Sequence, residues 1–140
     1  MTIDYSTTAD LLKALAATQS ETLAYFDLPD EQLQASYAPG KWNVRQLLHH
    51  ITDAETVLHE RIRRGIARPK QVVYGFDQDA WCQALDYATR PLPINKALFV
   101  ATRAAIIDLA ERYYEQAGQQ QYVHSETGLR TVKEELDKVA

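Results

Sequence analysis

The sequence predicts an all-α domain of four helices, and three observations carry that expectation. Three stretches of about 20 residues each repeat apolar side chains at helical spacing. Each opens at residues suited to a helix start, capping side chains in the first two and a first-turn proline in the third. No internal repeat and no alternating strand pattern stands out between them. A length of 140 residues, with 46% hydrophobic and 24% charged side chains, fits one globular domain spanning residues 1–140.

The first helix is expected from a cap among Ser6, Thr7 and Thr8 to about Phe26, with Leu11, Leu12, Leu15, Thr22, Leu23 and Phe26 on one face. The segment LPDEQLQASYAPG that follows is a connector with room for one helical turn. Pro39 and Gly40 then make a turn before the second helix. Asn43 is its N-cap, and Gln46, three residues on, reaches back to the Asn43 backbone. Trp42 and Leu47 are placed to close a hydrophobic staple over the same turn. Continuing to about Ile66, this helix puts Val44, Leu47, Leu48, Ile51, Glu55, Leu58 and Ile62 in one stripe, so one carboxylate lies on the core face.

A long connection, ARPKQVVYGFDQDAW, leads into a short helix capped by Asp77 that carries Trp81 and Cys82. Pro93 suits the first turn of the third helix, which runs to about Tyr114 and buries Leu98, Ala101, Ala105, Ile106, Leu109 and Tyr113. EQAGQQQYVHSETGLR is expected to be a polar loop. Thr131 and Glu134 form a capping box that opens the fourth helix.

Three of the four histidines lie on the second helix. The helical wheel turns His49 away from the apolar stripe toward solvent, while His50 and His59 fall on its two flanks, where a helix meets its neighbours. His50, between Leu47 and Ala54 on its own face, is either a bundle-type metal ligand or a structural histidine hydrogen-bonded at a helix interface. No two of His49, His50, His59 and His124 have the four-residue spacing that would put both rings on one face. Glu134, Glu135 and Asp137 could offer oxygen ligands, but a charged first turn answering the helix dipole accounts for them better.

Composition excludes several functions. A net charge of −4, with the basic residues of the second helix scattered around its circumference, argues against a nucleic-acid partner. There is no apolar run of the roughly 18 residues a membrane span needs, and no signal-peptide pattern, so a cytoplasmic protein without a membrane partner is expected. Cys82, the single cysteine, allows no internal disulfide and has no base nearby to make it a nucleophile.

The run GKWNVRQLLHHITDAE resembles the DinB and YfiT-like superfamily in Trp42, Leu47, Leu48, His50, Ile51, Asp53 and Glu55. Further matching runs are GFDQDAW, ALFVATRAAI and HSETGLRTVKEEL, so the resemblance spans nearly the whole chain. It implies an antiparallel four-helix bundle, here expected in up-down-up-down order with the second helix central. It also implies a divalent metal, zinc or nickel, held by one histidine of the second helix and two, four apart, on the last. By this match His50 is the metal ligand, Asp53 a residue orienting it, and Trp81, Arg103 and His124 line the pocket. The other two ligands would fall past Ala140, so the 140 residues alone are expected to bind metal weakly or not at all.

Two functions follow as expectations. One is a metal-dependent small-molecule enzyme, of thiol-dependent transferase or hydrolase type, with an incomplete histidine triad. The other is a metal-free binding or dimerisation module. Helix length bears on the second: about ten residues, roughly 15 Å, remain for a fourth helix facing partners of roughly 30 Å. Either a further segment or a second copy of the chain would cover the difference, and a homodimer is expected.

Overall fold

Side-chain caps set where four of the helices begin. In the computed structural model, which describes residues 3–140, Thr7 caps α1 (Thr8–Phe26), Asn43 caps α3 (Val44–Ala67), Asp77 caps α4 (Gln78–Ala84) and Thr131 caps α6 (Val132–Val139). Both hydrogen bonds of the Asn43–Gln46 box are made. At Thr131 the hydroxyl accepts from the Glu134 N–H, but the Glu134 carboxylate takes the hydroxyl hydrogen rather than the cap backbone. A single turn, α2 (Asp30–Leu33), fills the first connector, and α5 (Leu92–Tyr113) starts with Pro93 in its first turn.

The expected all-α four-helix bundle is present, formed by α1, α3, α5 and α6, but its helices do not alternate up-down-up-down. Thr8 reaches Glu115, Arg103 reaches Leu15 and Thr18, and Lys96 pairs with Asp27, so α1 and α5 are antiparallel. His49 meets Asn95 and Glu55 meets Arg103, so α3 and α5 are parallel. Helix α6 runs against α3, with Val132 beside Gly65 and Glu135 beside Arg61. The order is therefore up-down-down-up. The cause is the connection over residues 68–91, which is long enough to return along α3, about 36 Å, and start α5 beside its beginning.

Two apolar clusters result. Leu11, Leu15, Ile62, Ile106, Ala110 and Leu136 form the one beneath α6, and Phe26, Leu33, Leu48, Leu92 and Phe99 form the one beneath α2. The buried stripes are rotated from the expected ones: Leu47, Leu98 and Ala101 are exposed, whereas Asn95, Phe99, Thr102 and Arg103 are inside.

The expected polar loop after α5 contains a β-hairpin, β2 (Gln121–His124) with β3 (Gly128–Thr131), and β1 (Val72–Val73) adds to β2 in parallel. Its strands are four residues long, and their inward positions are Tyr122 and His124 rather than aliphatic residues, which is why period-two alternation was faint. The hairpin rests on α3 at Gly65, where an added Cβ would come within 2.8 Å of Val132 Cγ2 and 3.5 Å of Tyr122 Cδ1.

Candidate site around His50

The Asn43–Gln46 box fixes the first turn of α3 and with it the approach of Trp42, whose ring lies 5.2 Å from that of His50. The segment before α4 brings Phe76 to 6.2 Å from His50, and Trp81 packs on Phe76 at 4.6 Å. His50 thus stands half-buried at an aromatic wall, and its Nδ1 is buried without a hydrogen-bond partner. Burial holds its pKa below the ordinary imidazole value, opposed by the charges of Asp53 and Asp79. Neutrality leaves a nitrogen lone pair free to bind.

Asp53, one turn along α3, is 8% exposed and accepts a hydrogen bond from the hydroxyl of the fully buried Tyr87. Burial, and then this bond to a carboxylate, pushes the Tyr87 pKa far up, so the phenol stays protonated as the donor. The Tyr87 ring stacks on His49 at 5.5 Å. His49 does not face solvent as the helical wheel suggested; it is fully buried. Its Nε2 lies 2.9 Å from the Arg90 carbonyl oxygen and its Nδ1 2.7 Å from the Asn95 side-chain nitrogen. A carbonyl can only accept, so Nε2 carries the proton and Nδ1 accepts from the amide. The residues before α5 cover that side of α3, which a one-sided wheel treats as open.

Of the residues expected at the site, His50, Asp53 and Trp81 come together. Arg103 is elsewhere, at the centre of the bundle in a buried pair with Glu55. His124 is on β2 and lines a cleft beside the hairpin that reaches the His50 recess only through the shared ring of Phe76. Phe76 and Tyr87 were not among the expected residues: Phe76 lay inside the GFDQDAW run, while Tyr87 sits in an aperiodic connector and carried no signal. Cys82 is buried, and burial raises its thiol pKa, in keeping with an inert side chain.

The donors do not complete a metal centre. Among the described residues no group of three His, Cys, Asp or Glu side chains could hold a metal ion. Asp53 is engaged by Tyr87, leaving His50 as the one imidazole presented to the recess.

A helical bundle with a helix-borne imidazole at an aromatic recess is of the class that builds ligand and metal sites between its helices. The chain belongs to the DinB superfamily, which matches residues 14–139. It is similar to "Putative metal-dependent hydrolase OB0413" of Oceanobacillus iheyensis, 29% identical over 113 residues, covering 81% of this chain and 65% of that protein. A second protein of that organism, "Putative metal-dependent hydrolase OB0782", is 35% identical over 75 residues, covering 54% of this chain and 43% of its own. The chain thus spans less than two thirds of the length of these relatives. Its fold matches a solved structure of Bacillus subtilis YfiT, described as "a probable metal-dependent hydrolase with an unusual four-helix bundle topology", at a TM-score of 0.85 and 20% identity, covering 96% of this chain and 78% of that one. Among the described residues no helix is long and apolar enough to cross a membrane.

Proposed function

We propose that the protein is a small-molecule enzyme of the metal-dependent hydrolase type, in which His50 is a metal-ligating side chain. The observation that carries this reading is the orphaned Nδ1 of a neutral, half-buried imidazole at a wall of Trp42, Phe76 and Trp81. The names of the curated relatives support hydrolysis; thiol-dependent transfer is the alternative within the same class. A bound zinc or nickel ion would supply Lewis acidity. The chain's own residues do the rest: Trp42 and Phe76 fix the imidazole plane and limit water around it, and Asp53, held by Tyr87, places negative charge beside it.

One imidazole gives no chelate, so these 140 residues should bind metal weakly. Tag-free protein is titrated with zinc and with nickel, alongside His50→Ala. Weak binding that the substitution removes is expected. Tight stoichiometric binding that survives it would overturn the role of His50.

The second reading, a metal-free module that pairs with another copy, draws support from Ile94 and Leu98, one turn apart on α5 and 68% and 40% exposed.

A further inference from the structure

The hairpin, α6, the later part of α3 and the segment before α4 line a cleft of ≈ 490 Å³. That is within the roughly 300–1,000 Å³ of small-molecule sites. Two charged side chains, Arg61 and Glu135, only 5% and 4% exposed, belong to its lining. Arg61 Nη2 donates to the Tyr74 carbonyl at 2.8 Å, and Nη1 stands 3.6 Å from Glu135 Oε2, an ion pair longer than a hydrogen bond. Arg61 Nε and Glu135 Oε2 have no hydrogen-bond partner. Burying both charges with their polar atoms incompletely met is costly, and a cleft that needed only packing would carry apolar residues here.

His124 adds a directed donor. Its Nδ1 accepts the backbone N–H groups of Glu126 and Thr127 at 3.1 and 3.3 Å. The neutral ring therefore carries its proton on Nε2, which has no hydrogen-bond partner among the described residues. The remaining charges of the cleft nearly cancel. Arg61 is paired with Glu135, and Arg130 with Glu134 at 3.1 Å. One cation, Lys138 on α6, and one anion, Glu126 in the hairpin turn, line the same cleft without an ion pair among the described residues.

We propose that this cleft binds a small zwitterion, an amino acid or a short peptide. Its carboxylate is met by the Lys138 ammonium and the His124 Nε2–H, its ammonium by Glu126, and its side chain by the ring of Phe76. A dianion would face Glu126 and Glu135, a dication would face Arg61, Arg130 and Lys138, and an uncharged apolar molecule would strip water from Glu126 and Lys138 without replacing it. The site does not depend on a metal at His50.

The test is calorimetric titration with glutamine and with alanylglutamine, each beside its N-acetylated form and its C-terminal amide, which lack one charge. At least one zwitterion should bind at millimolar concentration or below, and whichever binds identifies the free amino acid or the peptide as the ligand form. Removing either charge should weaken binding about tenfold or more, which is about 1.4 kcal/mol. Glu126→Gln should abolish the discrimination against the acetylated form, and Lys138→Gln that against the amide. Both residues are exposed, and circular dichroism confirms that the variants fold. Failure of both zwitterions to bind, equal binding of the zwitterion that binds and its two singly charged forms, or discrimination that survives both substitutions would overturn the proposal. Unchanged binding in His50→Ala separates this site from the metal reading.

Discussion

Arg103 and Glu55 face each other across α5 and α3 in a two-point ion pair, each side chain 4% exposed. The same guanidinium donates from Nη1 to the Leu15 carbonyl at 2.9 Å and the Thr18 hydroxyl at 2.7 Å, and from Nη2 to the Val139 carbonyl at 3.4 Å. One side chain thus ties α1, α3, α5 and α6 together. Glu55→Ala leaves the cation buried without its partner and should cost about 3–5 kcal/mol. Replacing both groups, Glu55→Leu with Arg103→Met, removes the uncompensated charge and should recover much of that loss. Urea denaturation reads both; a double variant no more stable than Glu55→Ala would show that shape, not charge, governs the site.

Gly65 tests how closely α6 and the hairpin approach α3. Inside an exposed helix, Gly→Ala gains roughly 0.8–1 kcal/mol. Here the added methyl would meet Val132 Cγ2 at 2.8 Å, and overpacking costs about 1–3 kcal/mol. The contact should win, because Val132 and Tyr122 are both buried and have little room to move. Gly65→Ala is therefore expected to lower the urea midpoint. A rise would mean that this interface gives way.

What was legible in the sequence was local. The Ser6–Thr8 run, Asn43, Asp77 and Thr131 announced their helices because a cap acts within one turn. Glu55 was readable as a core carboxylate from helical phase, but its partner Arg103 was not, since pairing across helices depends on which of them are neighbours and in which direction they run. The same ignorance turned His49 outward: a wheel cannot know that Arg90 and Asn95 lie over that face. His50, Asp53 and Trp81 were found together through the resemblance, whereas Tyr87, which holds Asp53, belongs to an aperiodic stretch.

Acid should weaken the fold before carboxylates titrate. His49, His50, His59 and His124 all have pKa values below the ordinary imidazole value, with burial the largest cause in each. The unfolded chain therefore binds more protons than the native one in this range. Their contribution is fully present above the unfolded imidazole value of about 6.5 and is lost as the pH falls below it toward the folded values. Urea midpoints should drop between about pH 7 and pH 5, and His50→Gln should flatten that dependence. Asp53→Asn removes a charge that favours the His50 imidazolium, so the NMR titration midpoint of His50 should move further down. A pH-independent urea midpoint, or an upward move of His50, would contradict the electrostatics.

Helix α6 has eight residues, about 12 Å, against 24 residues and about 36 Å for α3. It packs over the later part of α3, as the Gly65–Val132 and Arg61–Glu135 contacts show. Along the earlier turns α2 and the end of α1 close the Leu48 and Phe99 cluster, while Ile94 and Leu98 of α5 stay exposed. Ile94 and Leu98 offer a second copy an apolar patch, a twofold contact is the commonest arrangement between copies, and stable interfaces of this kind bury about 1,200–2,000 Å² in total. Light scattering of the 140-residue chain at micromolar concentration should give about twice its 15.9 kDa mass. Leu98→Glu, which sets like charges against each other across a twofold contact, should return it to the mass of one chain. A wild-type monomer, or a dimer indifferent to Leu98→Glu, would remove α5 from the interface.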